Sequence, residues 1–296
     1  MFVLLLLEVK MNIGLSAETT IDLPCELLEK YNIKTTPFTI LMGEDCVLDE
    51  QGISNRIFDY VARTKVLPKT SAVNREQFKE HFSKMLEEYD AVVHISLSSA
   101  MSSACENARA VAQEIGEDKI LVIDSQSLST GIALLAIYAR KLIDDGKNLN
   151  EIEEKLKERI PYVQASFVIN TLDYLYKGGR CSMLSMLGAN LLKIKPEILV
   201  KDGKMIAGKK FFGLLGNVFN SYFNDVFQKF NNPDKEVVFL TYSTAEQKTL
   251  DDLYARLQEK EFKNIYITQA GGTICSHCGP NTLGVLFIND GGKSEE

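Results

Sequence analysis

Cys275, His277 and Cys278 fall within four consecutive positions of the stretch TICSHCGPNTLG, residues 273–284. Three chemistries could use such a cluster. A structural zinc site takes four ligands, usually as two spaced pairs, and nothing elsewhere in the chain resembles a second pair. The adjacent side chains of His277 and Cys278 are also poorly placed to share one metal. A Cys-x-x-Cys redox pair works from a helix N-terminus that lowers the thiol pKa, whereas Gly279-Pro280 predicts a turn leading into a strand. The remaining reading is a loop that presents His277, and the spacing favours it. The other two histidines are His94 and His81, the latter in a helix that reads as surface.

Hydroxyls form the second group of candidates. Thr70 and Ser71, in LPKTSAVNREQF, precede an amphipathic helix, and helix capping alone accounts for one of them. In HISLSSAMSSACENA a buried strand runs into Ser98-Ser99 and then a helix. Ligands of α/β sheets bind at the carboxyl ends of strands. A helix start there offers free N–H groups to an anion, and hydroxyls add neutral donors. Serines used only as caps fit the same pattern. In TLDYLYKGGRCS the pair Gly178-Gly179 reads as a helix C-cap, and Arg180 as either a surface charge or the cation of an anion site. No glycine-rich nucleotide loop accompanies these motifs.

The elements that must position these groups follow from periodicity. Strand-like NIGLSA, TTPFTI, DAVVHISL and KILVID alternate with helical runs such as ISNRIFDYVART, NREQFKEHFSKMLEEY and GIALLAIYARKLIDDG. That alternation predicts an N-terminal parallel sheet with helices on both faces. The second half reads as a C-terminal α/β domain with a mixed sheet, including a hairpin turning at Asp202-Gly203 and a long helix over roughly 213–230. The expected division is 1–10 as an extension, 11–165 and 166–296 as domains, with the ligand site between the two.

Composition narrows the function classes. The 296 residues are 45% hydrophobic and 25% charged, with a net charge of −7, which argues against nucleic acid as a partner. Six scattered cysteines fit a reducing, cytoplasmic compartment. The opening MFVLLLLEVK is too short to span a bilayer and lacks the flanks of a signal peptide; the first strand opens after Met11.

Taken together, TIDLPCELLEKYNIKTTPFTI, KTSAVNREQF, ISLSSAMSSACENA, VIDSQSLSTG, TLDYLYKGGRCS, LLKIKPEILVKDGKM and HCGPNTLGVLF occur in this order with suitable gaps. From Met11 onward the chain resembles the DegV family of bacterial fatty-acid-binding proteins. HCGPNTLG is similar to the family's His-x-Gly-Pro-Gly-x-x-Gly motif, which makes Cys275 and Cys278 incidental. The resemblance implies a two-domain DegV-like fold with a long-chain fatty acid buried between the domains. Its carboxylate would be held by Thr70, Ser71 and one of Ser98 or Ser99, with His277 and Arg180 beside the head group or at a docking face. It further implies a lipid-binding subunit with no catalytic centre, metal or cofactor of its own, at most transient membrane contact, and a separate ATP-dependent fatty acid kinase as partner. Four departures from the family pattern stand out: Ala17-Glu18-Thr19-Thr20 for Thr-Asp-Ser-Thr, AMSS for Gly-Leu-Ser-Gly, Asn281 for the last turn glycine, and KKFFG for Lys-x-Arg. Two alternatives remain, an autonomous phosphotransfer enzyme and a thiol or metal enzyme built on Cys275, His277 and Cys278.

Overall fold

A computed structural model describes residues 11–181 and 194–292, so the expected extension 1–10 lies outside the described residues. The chain opens with β1 (Ile13–Glu18), α1 (Cys25–Lys30), β2 (Ile33–Thr36), β3 (Thr39–Met42) and β4 (Asp45–Leu48). Then follow α2 (Ile53–Thr64), β5 (Lys69–Ser71), α3 (Arg75–Met85), β6 (Ala91–Ser96), α4 (Ala104–Ile115) and β7 (Ile120–Asp124). Strands in the order β2-β1-β6-β7 make a wholly parallel sheet. All six residues of β1 and all six of β6 are buried, as strands covered on both faces must be. A separate antiparallel sheet, β4-β3-β5, is absent from the sequence-based expectation; it places Thr70 on a strand rather than at a helix start. The cap of α3 is Asn74, in a reciprocal capping box with Gln77.

The chain continues through α5 (Thr130–Asp144), α6 (Leu149–Arg159), β8 (Val163–Val168), α7 (Asp173–Gly178), β9 (Ile194–Lys201), β10 (Lys204–Phe212) and α8 (Leu215–Lys229). It ends with β11 (Val237–Tyr242), α9 (Gln247–Gln258), β12 (Asn264–Gln269), α10 (Gly272–Cys278) and β13 (Leu283–Ile288). The second sheet runs β10-β9-β8-β13-β11-β12 and is mixed: only β11 and β12 pair in parallel. The hairpin turns where expected, with Asp202 at φ 50° and Gly203 at φ 75°, the two positive values a primed turn requires.

Between the sheets lies α5. It packs on β1 and β6 of the first sheet and on β8, β11 and β13 of the second, and eleven of its fifteen residues are buried. A helix enclosed from both sides has no polar face to keep, which is why TGIALLAIYARKLID is apolar nearly all round. Below it, Arg159 at the end of α6 donates from Nε to Asp290 (2.8 Å) and from Nη2 to Asp290 (2.9 Å) and Asp234 (2.5 Å). This buried cluster ties the α6 end to the strand termini of the second sheet.

Candidate functional site

The carboxyl ends of β2, β6 and β7 lead into Phe38, Leu97 and Leu128, and these three residues line one cavity of about 280 Å³. Thr70, Ser71, Arg180 and His277 line the same cavity. Four of the six residues that the family resemblance assigns to the fatty-acid site therefore converge, from β5, the end of α7 and α10. A larger groove of about 830 Å³ opens at the other end of the strands, beside Met11 and Asn264. Its charged groups include the ion pairs Arg140–Asp144 and Arg159–Asp234, and it holds none of the sequence candidates.

His277 sits in a helix, contrary to the loop expected from the sequence. Gly271 precedes α10, and two buried carboxylates satisfy the helix start: Asp22 accepts from Gly271 N (2.8 Å), and Asp49 accepts from Gly272 N (2.7 Å) and Thr273 N (2.9 Å). The turn expected at Gly279-Pro280 follows, with Gly279 at φ 76° and Asn281 at φ 58°, a conformation asparagine tolerates better than most residues. From α10, His277 Nε2 lies 2.8 Å from Thr70 Oγ1. Its Nδ1 is buried with no partner among the described residues, and burial, with Arg180 nearby, pushes its pKa down to about 4.

The double glycine gains a reason from this packing. A Cβ on Gly178 would stand 2.5 Å from His277 Nδ1, so only glycine lets α7 end there. Gly179 ends the helix at φ 70°, donating its N–H to Leu175 O and Tyr176 O. Arg180 then emerges exposed at the cavity, its Nη1 donating to Gly178 O (2.6 Å).

Ser98 and Ser99 are not brought to the cavity lining. Ser98 is buried and donates to Gly203 O (2.7 Å); Ser99 is exposed and donates from Oγ to Asp124 (2.5 Å). The helix after them starts at Ala104, within the run SSACENARAVAQEIG that reads as helical, and the lining serines are Ser102 and Ser103 at that start. Ser102 Oγ accepts from Ala104 N (3.2 Å). The replacement of Gly-Leu-Ser-Gly by AMSS was the sequence signal for these two residues.

His81 also differs from its surface reading. Its Nε2 lies 2.7 Å from Ser16 Oγ, which is 2.9 Å from His94 Nδ1; His94 Nε2 is 3.3 Å from Glu18 Oε1. Burial pushes the His81 pKa down to about 3. Glu18 in turn accepts from Ser96 Oγ (2.6 Å) and Leu97 N (2.9 Å), so this buried chain braces the strand end beside the cavity.

The thiols of Cys275 and Cys278 are buried, and burial raises both pKa values, that of Cys275 to about 12. Thiols held neutral in this way are poor nucleophiles and poor metal ligands. Among the described residues no group of three His, Cys, Asp or Glu side chains is arranged to hold a metal.

Beyond the cavity, a second apolar void of about 30 Å³ reaches Phe167, Gly284 and Leu286 under the mixed sheet. The two spaces share Leu128, Ile274 and Cys278 as a common wall. The site can thus offer hydroxyls, a helix start and a guanidinium at one end, and apolar depth at the other.

Comparisons with known proteins agree with the fold. Residues 12–290 match the family model described as uncharacterised protein, DegV family. A DegV domain-containing protein of Clostridium acetobutylicum is 29% identical, over 93% of this chain and 98% of its own length. A fatty acid-binding protein of Thermotoga maritima is 27% identical, over 93% and 96%. The solved structure of a DegV lipid-binding protein from Thermotoga maritima superposes with a TM-score of 0.83 at 26% identity, covering 94% of this chain and 98% of that one.

Proposed function

For a chain that belongs to the DegV family, we propose that this protein binds one long-chain fatty acid, with its carboxylate in the 280 Å³ cavity and its acyl chain directed beneath the mixed sheet. The observation that carries the reading is the Thr70–His277 hydrogen bond at the wall of that cavity. A neutral His277 that donates from Nε2 to Thr70 Oγ1 leaves the threonine hydrogen free to point at a carboxylate oxygen. Ser71, the α4 start at Ser102-Ser103 and Arg180 line the same cavity and would supply the remaining donors. Ser98 and Ser99 would reach the ligand only by giving up their bonds to Gly203 and Asp124.

Burial of an acyl chain of about sixteen carbons is worth roughly 11 kcal/mol gross, at about 0.8 kcal/mol per methylene. Ordering of the chain and desolvation of the head group offset part of this. The charged end has to be paired, because an isolated buried carboxylate is costly.

The finer reading is that the bound acid is presented to a separate ATP-dependent kinase, which phosphorylates the carboxylate, and that this chain has no catalytic centre of its own. Support comes from Ser71 and Arg180, both exposed where they meet the cavity, which leaves the head group near a docking surface. Six free cysteines favour the reducing cytoplasm as the place of action.

Native mass measurement and solvent extraction of the purified protein test the binding reading. One fatty acid per chain supports it; no lipid, with no uptake of added palmitate or oleate, overturns it. Hydroxylamine trapping of acyl-phosphate tests the second step. Hydroxamate formed only when a fatty acid kinase is added supports presentation, and hydroxamate formed from this chain and ATP alone supports the phosphotransfer alternative.

A further inference from the structure

The cavity of about 280 Å³ sits just below the range of about 300–1,000 Å³ usual for a drug-sized ligand, and the void behind it is only about 30 Å³. A long acyl chain therefore needs the wall between them to part. That wall has two sides. Leu128 stands on the turn between β7 and α5; Ile274 and Cys278 stand on α10.

One side chain is bonded to both sides. Asp22 Oδ2 accepts from Ser129 Oγ (2.5 Å), the residue next to Leu128, and Asp22 Oδ1 accepts from Gly271 N (2.8 Å), at the start of α10. Both ends of the first bond carry unusual backbone. Asp22 has φ 55°, and Ser129 has φ 54° with ψ −141°, next to a region that is essentially glycine territory. Ser129 makes no capping bond to α5 despite standing at its N-cap. Its hydroxyl is turned to Asp22 instead, 107 residues away in sequence.

We propose that Asp22 is a clasp that holds the Leu128 and α10 sides of this wall together, and that releasing it joins the two cavities to admit long acyl chains. The inference rests on the fatty-acid reading and deepens it: Asp22 and Ser129 become positioning residues that set how fast long chains enter and leave, without touching the carboxylate. Short acids fit the outer cavity and do not need the wall to open.

Ser129→Gly is the informative variant, because glycine accepts the backbone conformation while the hydroxyl arm of the clasp is lost. Dissociation rates of palmitate and octanoate are compared in the wild type and the variant. The expected result is palmitate release faster by about fivefold, the effect of one buried hydrogen bond, with octanoate unchanged. Equal acceleration of both acids, or of neither, overturns the clasp. Amide hydrogen exchange at Gly271 and Ile274 reads the clasp without ligand, and faster exchange at both is expected in the variant. Unchanged exchange overturns the clasp by itself. If the wild type takes up neither acid, the fatty-acid reading fails, a result the exchange measurement does not depend on.

Discussion

Thr70 and His277 are 207 residues apart in sequence and 2.8 Å apart in space, one on a short antiparallel strand and the other on a seven-residue helix. Among the described residues Thr70 Oγ1 is the only partner of the imidazole, and none of them bonds to its other nitrogen, which is buried. The imidazole and the hydroxyl therefore form one unit. Thr70→Val keeps the shape and removes the donor. Loss of a hydrogen bond to a charged group costs about 1.5–3 kcal/mol, roughly 10- to 150-fold in fatty-acid affinity. His277→Gln should cost less, because a glutamine amide still donates. Titration with a fluorescent fatty acid measures both, and an unchanged affinity in Thr70→Val removes the carboxylate from this wall.

Gly178 and Gly179 look equivalent in sequence and should behave differently when substituted. Gly178→Ala drives a methyl into His277 Nδ1, so ligand affinity should fall along with some stability. Gly179→Ala meets nothing within 4 Å but sits at φ 70°; it should cost about 1–2 kcal/mol of stability and leave affinity intact. Paired denaturation and binding curves decide this. Equal loss of affinity in both variants would mean that the contact between Gly178 and His277 plays no part in binding.

Asp22 gives the protein an unusual pH dependence. Burial raises its pKa from 3.8 to about 8, outweighing the hydrogen bonds from Ser129 and Gly271 that favour the charged form, and the neighbouring Asp49 adds to the rise. Between pH 4 and 8 the folded protein keeps a proton that the unfolded chain has released. The contribution to stability therefore falls as pH rises through this window, and it levels off above about 8. His277, lowered from 6.5 to about 4, acts in the opposite sense: acidification from 6.5 to 4 protonates the unfolded chain first and destabilises the fold. Denaturant midpoints across pH 4–9 should show a shallower decline above pH 6.5 in Asp22→Asn than in the wild type. An identical slope would mean that Asp22 is already ionised at neutral pH.

How far the sequence revealed these features depends on the range of the forces involved. The helix predicted at ISNRIFDYVART is α2, Ile53–Thr64, and the long helix over roughly 213–230 is α8, Leu215–Lys229, because each carries its own apolar spacing. The Asp202-Gly203 turn was equally local. α10 was hidden, since seven residues give no periodicity and its start is satisfied by Asp22 and Asp49 from the far end of the chain. His81 reads as surface from α3 alone; its partner Ser16 comes from β1. Ser98 and Ser99 follow a buried strand and come just before a helical run, which is the local pattern of an anion site, but Ser98 bonds across to the hairpin at Gly203 and the helix begins beyond Ser103.

Arg159 tests what joins the α6 end to the second sheet. Its side chain is 6% exposed, and its guanidinium spans both oxygens of Asp290, also reaches Asp234, and lies 4.6 Å from the Tyr138 ring centroid. Arg159→Met removes the cation and leaves Asp290, 4% exposed, as an unpaired buried charge. Breaking a buried pair from one side costs about 3–5 kcal/mol. Arg159→Lys keeps the charge but cannot span both carboxylate oxygens, so it should recover only part of this. The double variant Arg159→Met with Asp290→Asn should be more stable than Arg159→Met alone, because the orphaned charge is gone. Urea denaturation of these three variants and of Asp290→Asn alone measures these differences. Additive losses in the double variant would show that Arg159 acts through its packing on Tyr138, with the carboxylates as bystanders.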